Sequence, residues 1–193
     1  MAGLIFSFDA VADDRARVLI LGTIPGVDSL AAGEYYAHRR NGFWPIMLAL
    51  LGGEEELSYE GRLELLRSRS IALWDMLAAA ERRGSLDASI RVASLVPNDI
   101  ASFLERYPLI SHIFFNGARA EALFRRYVRV SRQVCCLRLP STSPAHASCS
   151  FQEKLDAWRQ VVVACGDGGR VSGLADACPR HALPGPESRG CFS

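Results

Sequence analysis

Val18-Leu19-Ile20-Leu21-Gly22-Thr23-Ile24-Pro25-Gly26 passes from an apolar run into a Gly/Pro turn. The run is rich in branched apolar residues, which predicts a short buried strand. Gly22 ends it, and Pro25-Gly26 is strong turn punctuation. Open α/β sheets place their ligands where such a strand breaks into a loop. Just downstream, Tyr35, Tyr36, His38, Arg39, Arg40, Asn41, Phe43 and Trp44 fall within ten residues. Burying so many cationic and amide groups without partners is costly, so the segment is expected to line a cleft.

Around this segment strands alternate with helices. That order implies an α/β fold of three layers, α/β/α, with a central four-stranded parallel sheet covered on both faces. Strands are expected at 18–21, 70–73, 112–115 and 133–139. The apolar stretch Phe43 to Leu51 reads as a buried helix, and Pro45 restricts its start to Asn41 or Gly42. Ser58 caps a second helix in which Tyr59, Leu63 and Leu66 share a face. A short helix should follow Trp74-Asp75 and end near Arg83-Gly84, and residues 85–97 read as loop with room for a turn of helix. Asn98 can cap a helix over 99–107, and residues 118–128 form another that buries Ala120, Leu123, Phe124 and Tyr127. Ser150-Phe151-Gln152-Glu153 is a capping box, and Leu155, Trp158 and Val162 give the last helix its inner face. Residues 1–165 thus form one domain. Residues 166–193, with six glycines and three prolines and no period, are expected to be a disordered tail.

Two segments carry a family resemblance. Gly22-Thr23-Ile24-Pro25-Gly26 with Tyr36-Ala37-His38-Arg39-Arg40-Asn41-Gly42-Phe43-Trp44 resembles the first motif of the uracil-DNA glycosylase superfamily, and most closely its hypoxanthine-DNA glycosylase branch. The second motif of that branch has its counterpart at Leu139-Pro140-Ser141-Thr142-Ser143-Pro144-Ala145-His146-Ala147. The resemblance covers roughly residues 6–165. It implies hydrolysis of the N-glycosidic bond of a deaminated base, hypoxanthine first, with uracil and xanthine as further substrates. The partner is then single- or double-stranded DNA carrying such a base.

A base leaves duplex DNA only after it is swung out of the stack into a pocket. By resemblance, Asn41 orients water or stabilises the transition state, and Asn116 assists at the end of the third strand. Gly22, Thr23, Ile24, Tyr36, His38, Phe43 and Asp75 would surround the base, with Phe43 stacking on it. Pro25, Gly26, Arg39, Arg40, Ser141, Thr142, Ser143 and His146 would hold the DNA backbone, with arginines 119, 125 and 126 as further candidates. Each also has a plainer reading: Asn41 as helix cap, Phe43 as core beside Trp44, Asn116 as turn former, Asp75 as structural acid. The sequence departs from the family pattern at four points. Ile24 stands where mismatch-specific uracil glycosylases carry asparagine, Leu139 where classical uracil glycosylases carry histidine, and His146 where the hypoxanthine branch carries asparagine. Arg39 likewise replaces an expected proline.

Composition narrows the classes. The chain has 193 residues, 49% of them hydrophobic, enough for one core. A net charge of +1 does not by itself mark a nucleic-acid binder. Lys154 is the only lysine, so the remaining cations are arginines, which suit bidentate phosphate contacts and also follow from high-GC coding. Lys154 sits beside Leu155 and is expected to face solvent, leaving no side-chain amine for strand cleavage. Met1 to Phe8 is short and runs into Asp9, Asp13 and Asp14, so neither a signal peptide nor a membrane span is expected. A cytoplasmic location with six reduced cysteines is then expected, and a monomer is expected as well. No Cys-x-x-Cys pair occurs, so no metal or other cofactor is implied. Two rivals remain: a nucleic-acid-binding module that keeps the fold without chemistry, and a small-nucleotide hydrolase, which lacks the Gly-Lys-Ser/Thr signature.

Overall fold

The computed structural model describes residues 3–82 and 90–166. The expectations for Arg83-Gly84 and for the tail beyond residue 166 lie outside them. The central sheet is parallel and four-stranded. It comprises β2 (Val18–Gly22), β3 (Ile71–Asp75), β6 (His112–Asn116) and β7 (Cys135–Leu139), in the order β3-β2-β6-β7. The register sets Gly22 beside Asp75 and Asn116 beside Leu139. All five residues of β2 are buried, as a central strand covered on both faces requires.

Alternation along these strands divides the core in two. Val18 and Ile20 of β2, Leu73 of β3 and Phe114 of β6 pack on α2 (Phe43–Leu51), α3 (Tyr59–Ser68) and α6 (Phe151–Cys165). Leu19, Leu21, Ala72, Ile113 and Phe115 face the other way. They pack on α4 (Ile100–Arg106), α5 (Ala118–Tyr127) and a small second sheet. Short α1 (Val27–Ala32) follows the loop after β2. The three-layer α/β/α arrangement expected from the sequence is present.

The second sheet is a correction. The helix expected after Trp74-Asp75 is instead β4 (Leu77–Arg82), which pairs antiparallel with β1 (Gly3–Phe6) and β5 (Val96–Pro97). Ala78-Ala79-Ala80 favours a helix locally, but pairing from Gly3↔Arg82 to Phe6↔Ala79 overrides that weak preference. Smaller corrections follow the same logic. The cap of α4 is Asp99, which accepts from Ser102 N, while Asn98 Nδ2 donates to the Asp75 carbonyl at 2.9 Å. Tyr127 is exposed. The inner face of α6 is Lys154, Trp158 and Val161, with Leu155 and Val162 at its border. Among the described residues, no helix is long and apolar enough to cross a membrane.

Candidate active site

The carboxyl ends of β2, β3 and β6 and the loop after β7 enclose a cleft of about 380 Å³. Gly22 shows why the floor is tight. A Cβ there would overlap the Asp75 carboxylate and lie 2.9 Å from the Tyr36 hydroxyl. Only a glycine lets those two polar groups close on the end of β2. Asp75 is 3% exposed, and Ser7 Oγ donates to its Oδ2 at 3.0 Å. Burial, helped by the Asp75 charge, pushes the Tyr35 phenol far above its ordinary range, so it stays neutral.

Tyr36 lines the cleft and Phe43 does not. Phe43 is fully buried and stacks under Tyr36, with ring centroids 4.1 Å apart and planes 25° from parallel. Stacking on Phe43 would require Tyr36 to move away; in this arrangement Tyr36 is the aromatic presented to a ligand. The reason is local backbone: Tyr36 holds φ 57°, a left-handed conformation unusual for a bulky residue, which folds its ring back over α2. Trp44 belongs to the core, its Nε1 donating to the Tyr35 carbonyl at 2.7 Å.

Asn41 stands where the two motifs meet. Its Oδ1 accepts from Phe43 N at 3.0 Å. A main-chain N–H can only donate, so this bond fixes which end of the amide is oxygen. Nδ2 has no protein partner among the described residues. The next residue, Gly42, donates its N–H to the Thr142 carbonyl at 2.9 Å. Thr142 is in turn clamped by Asn116: Asn116 Nδ2 donates to Thr142 Oγ1, and Thr142 N donates to Asn116 Oδ1, both at 2.9 Å. Both ends of the Asn116 amide are therefore engaged, which makes it a fastener of the 141–146 loop. Gly117, at φ 98°, allows the approach, since a Cβ there would sit 3.0 Å from Ser141 Cβ.

The sequence pattern of the Uracil DNA glycosylase superfamily matches residues 8–164. The chain belongs to the uracil-DNA glycosylase superfamily. Membership makes DNA the substrate class and base excision the class of chemistry. Two relatives are described as hypoxanthine DNA glycosylases. That of Methanosarcina barkeri is 32% identical over 114 residues, covering 58% of this chain and 71% of the relative. That of Methanosarcina acetivorans is 34% identical over the same span and shares. A solution structure of a candidate uracil DNA glycosylase from Methanosarcina acetivorans superposes with a TM-score of 0.65 at 30% identity. It covers 82% of this chain and 99% of that one.

Within this superfamily cleft the structure gathers Gly22, Thr23, Ile24, Pro25, Gly26, Tyr36, His38, Asn41, Asp75, Asn116, Ser141, Thr142, Ser143 and His146. Arg39 and Arg40 are exposed on the turn before Asn41 and do not line it. Arg119, Arg125 and Arg126 lie on α5 outside it, and Arg125 pairs with Glu121 at 2.8 Å. Among the described residues, no group of His, Cys, Asp and Glu could hold a metal ion. Asp28 and Ser29 line the cleft unforeseen, with Asp28 Oδ2 3.9 Å from His38 Nε2. Their signal in the sequence is only their nearness to Gly26. Lys154 is a further correction. It is 8% exposed, not on the solvent side, and its Nζ donates to the His146 carbonyl at 2.9 Å. Its place one residue before Leu155 hides this, because α6 is rotated by one position from the expected face.

Proposed function

We propose that the protein is a monofunctional DNA glycosylase that removes hypoxanthine from deoxyinosine, with uracil and xanthine as secondary substrates, in base excision repair. The observation that carries this reading is the Gly42 N–Thr142 O bond, which brings both motifs to one cleft with Asn41 at the seam. The flipped base lies on Tyr36, whose other face is backed by Phe43. One lone pair of Asn41 Oδ1 is held by Phe43 N–H, which locks the amide. The second lone pair accepts from a water and aims it at C1′ as the glycosidic bond lengthens and positive charge grows on the sugar. Preorganised groups of this kind act where charge develops. Leu139 is 1% exposed and apolar, so no imidazolium assists the leaving base from that position. Neutral donors along the cleft do so instead. A cleft of this size falls in the range that holds small ligands and admits a bicyclic purine as readily as a pyrimidine.

The test is a duplex oligonucleotide with a single deoxyinosine, scored by alkaline strand scission after incubation, beside uracil and xanthine duplexes. Cleavage at the deoxyinosine is expected. Full-length product on all three would leave a DNA-binding module without chemistry. Strand cleavage by the enzyme itself requires a free amine that attacks C1′. The one lysine is buried and bonded to a carbonyl. Borohydride added during turnover should trap no protein–DNA adduct; an adduct that vanishes in Lys154→Ala would show that the lysine reaches the sugar, and one that survives it would assign the attack to the N-terminal amine.

A further inference from the structure

Side chains of α6 and β6 hold the second-motif loop, and two of them lie on the inner face of α6, one turn apart. Trp158 Nε1 donates to the Pro140 carbonyl at 3.0 Å, and Lys154 Nζ donates to the His146 carbonyl at 2.9 Å. Helix α6 thus grips the loop at both ends while Asn116 and Gly42 hold its middle at Thr142. In a trans peptide the N–H points opposite to the C=O. Drawing these two carbonyls toward α6 turns the N–H groups of Ser141 and Ala147 away from it. Neither has a protein partner among the described residues. Ser141 and His146 both line the cleft.

The residue type is informative. Lys154 is the only lysine in a chain whose other 21 cationic side chains are arginines. Arginine is used even where a buried cation supports the opposite wall, since Arg82, 4% exposed, donates to the Pro25 carbonyl. At Lys154 a single carbonyl must be met in a buried space. A compact ammonium does that, whereas a planar guanidinium brings five donors that need partners.

We infer that Lys154 is a positioning residue for substrate binding. By holding the His146 carbonyl it sets the second-motif loop so that its main-chain N–H groups and hydroxyls meet the DNA backbone beside the flipped nucleotide. This rests on the glycosylase reading above. Backbone contacts are made alike in the ground and transition states, so their loss weakens binding and spares the chemical step.

The test compares parent, Lys154→Met and Lys154→Arg in single-turnover excision on the deoxyinosine duplex, with amide hydrogen exchange measured on the free proteins. For Lys154→Met the half-saturating DNA concentration should rise ~10-fold while the saturated rate stays within about 3-fold. Exchange should quicken in residues 140–149 and not in β2 or β6. Lys154→Arg should fail to restore either readout. Parent-like half-saturation with parent-like exchange overturns the inference. So does a fall in the saturated rate at unchanged half-saturation, and so does faster exchange throughout, which would make Lys154 a general core residue. If the parent excises no base, the glycosylase reading fails, and local against global exchange still decides whether Lys154 holds the loop.

Discussion

At the scale of single residues, Asn41 and Tyr36 make opposite demands on their neighbours. Asn41 gives one lone pair to Phe43 N–H, a cap-like bond worth about 1 kcal/mol. Asn41→Ala should therefore lower stability only slightly, yet slow single-turnover excision by ~10²-fold or more, because its second contact is made in the transition state. Affinity for the deoxyinosine duplex should be nearly unchanged, and unaltered excision would leave Asn41 a helix cap alone. Tyr36 and Phe43 can be separated in the same way. Phe43→Ala empties a fully buried site and should cost about 3–5 kcal/mol, read as a fall in denaturation midpoint. Tyr36→Ala should cost far less stability and lose excision instead. The motif was legible in sequence; which of its rings faces the cleft was not. That choice is made by the left-handed backbone at Tyr36, and no spacing rule reports a positive φ at a tyrosine. Asn116 was legible as a cleft residue because it is a polar amide at a strand end, whereas Asn41 was legible through the motif before α2. Its double bond to Thr142, 26 residues away, has no local trace.

At the scale of elements, what sequence reveals depends on whether an element is shaped by its own residues or by a distant partner. β2 and the capping box of α6 are self-announcing, and both form where the pattern puts them. β4 is not, because its alanines favour a helix until β1, more than seventy positions earlier, pairs with it. The β6 strand carries a prediction of its own. Burial holds the His112 imidazole below its ordinary value of 6.5. The unfolded chain therefore takes up this proton at a higher pH than the folded one, and protonation favours unfolding. Stability should fall as pH drops through 6.5 toward the lower folded-state value. His112→Gln should flatten that part of the profile of melting temperature against pH. A slope unchanged by the substitution would assign the loss to other groups.

At the scale of the whole molecule, both faces of the central sheet carry a hydrophobic core built from described residues, and the superfamily match ends at residue 164. A chain ending at Gly166 should keep the parent melting temperature and excision rate. A drop of several degrees would show that residues beyond 166 bind the core. The cleft itself is assembled from segments around residues 22–41, 75, 116 and 141–146, brought together only by strand order and register. No fragment of the chain holds it. One further property of the molecule follows from Lys154. The chain's sole side-chain amine is spent inside the fold, under a loop. Acylating labels, amine-coupled sensor surfaces and aldehyde fixatives thus find no lysine on its surface. Immobilising it or cross-linking it to DNA through side chains calls for chemistry aimed at carboxylates, thiols or guanidinium groups, and enzymes that acetylate or ubiquitylate lysine have no exposed lysine in the folded protein to modify.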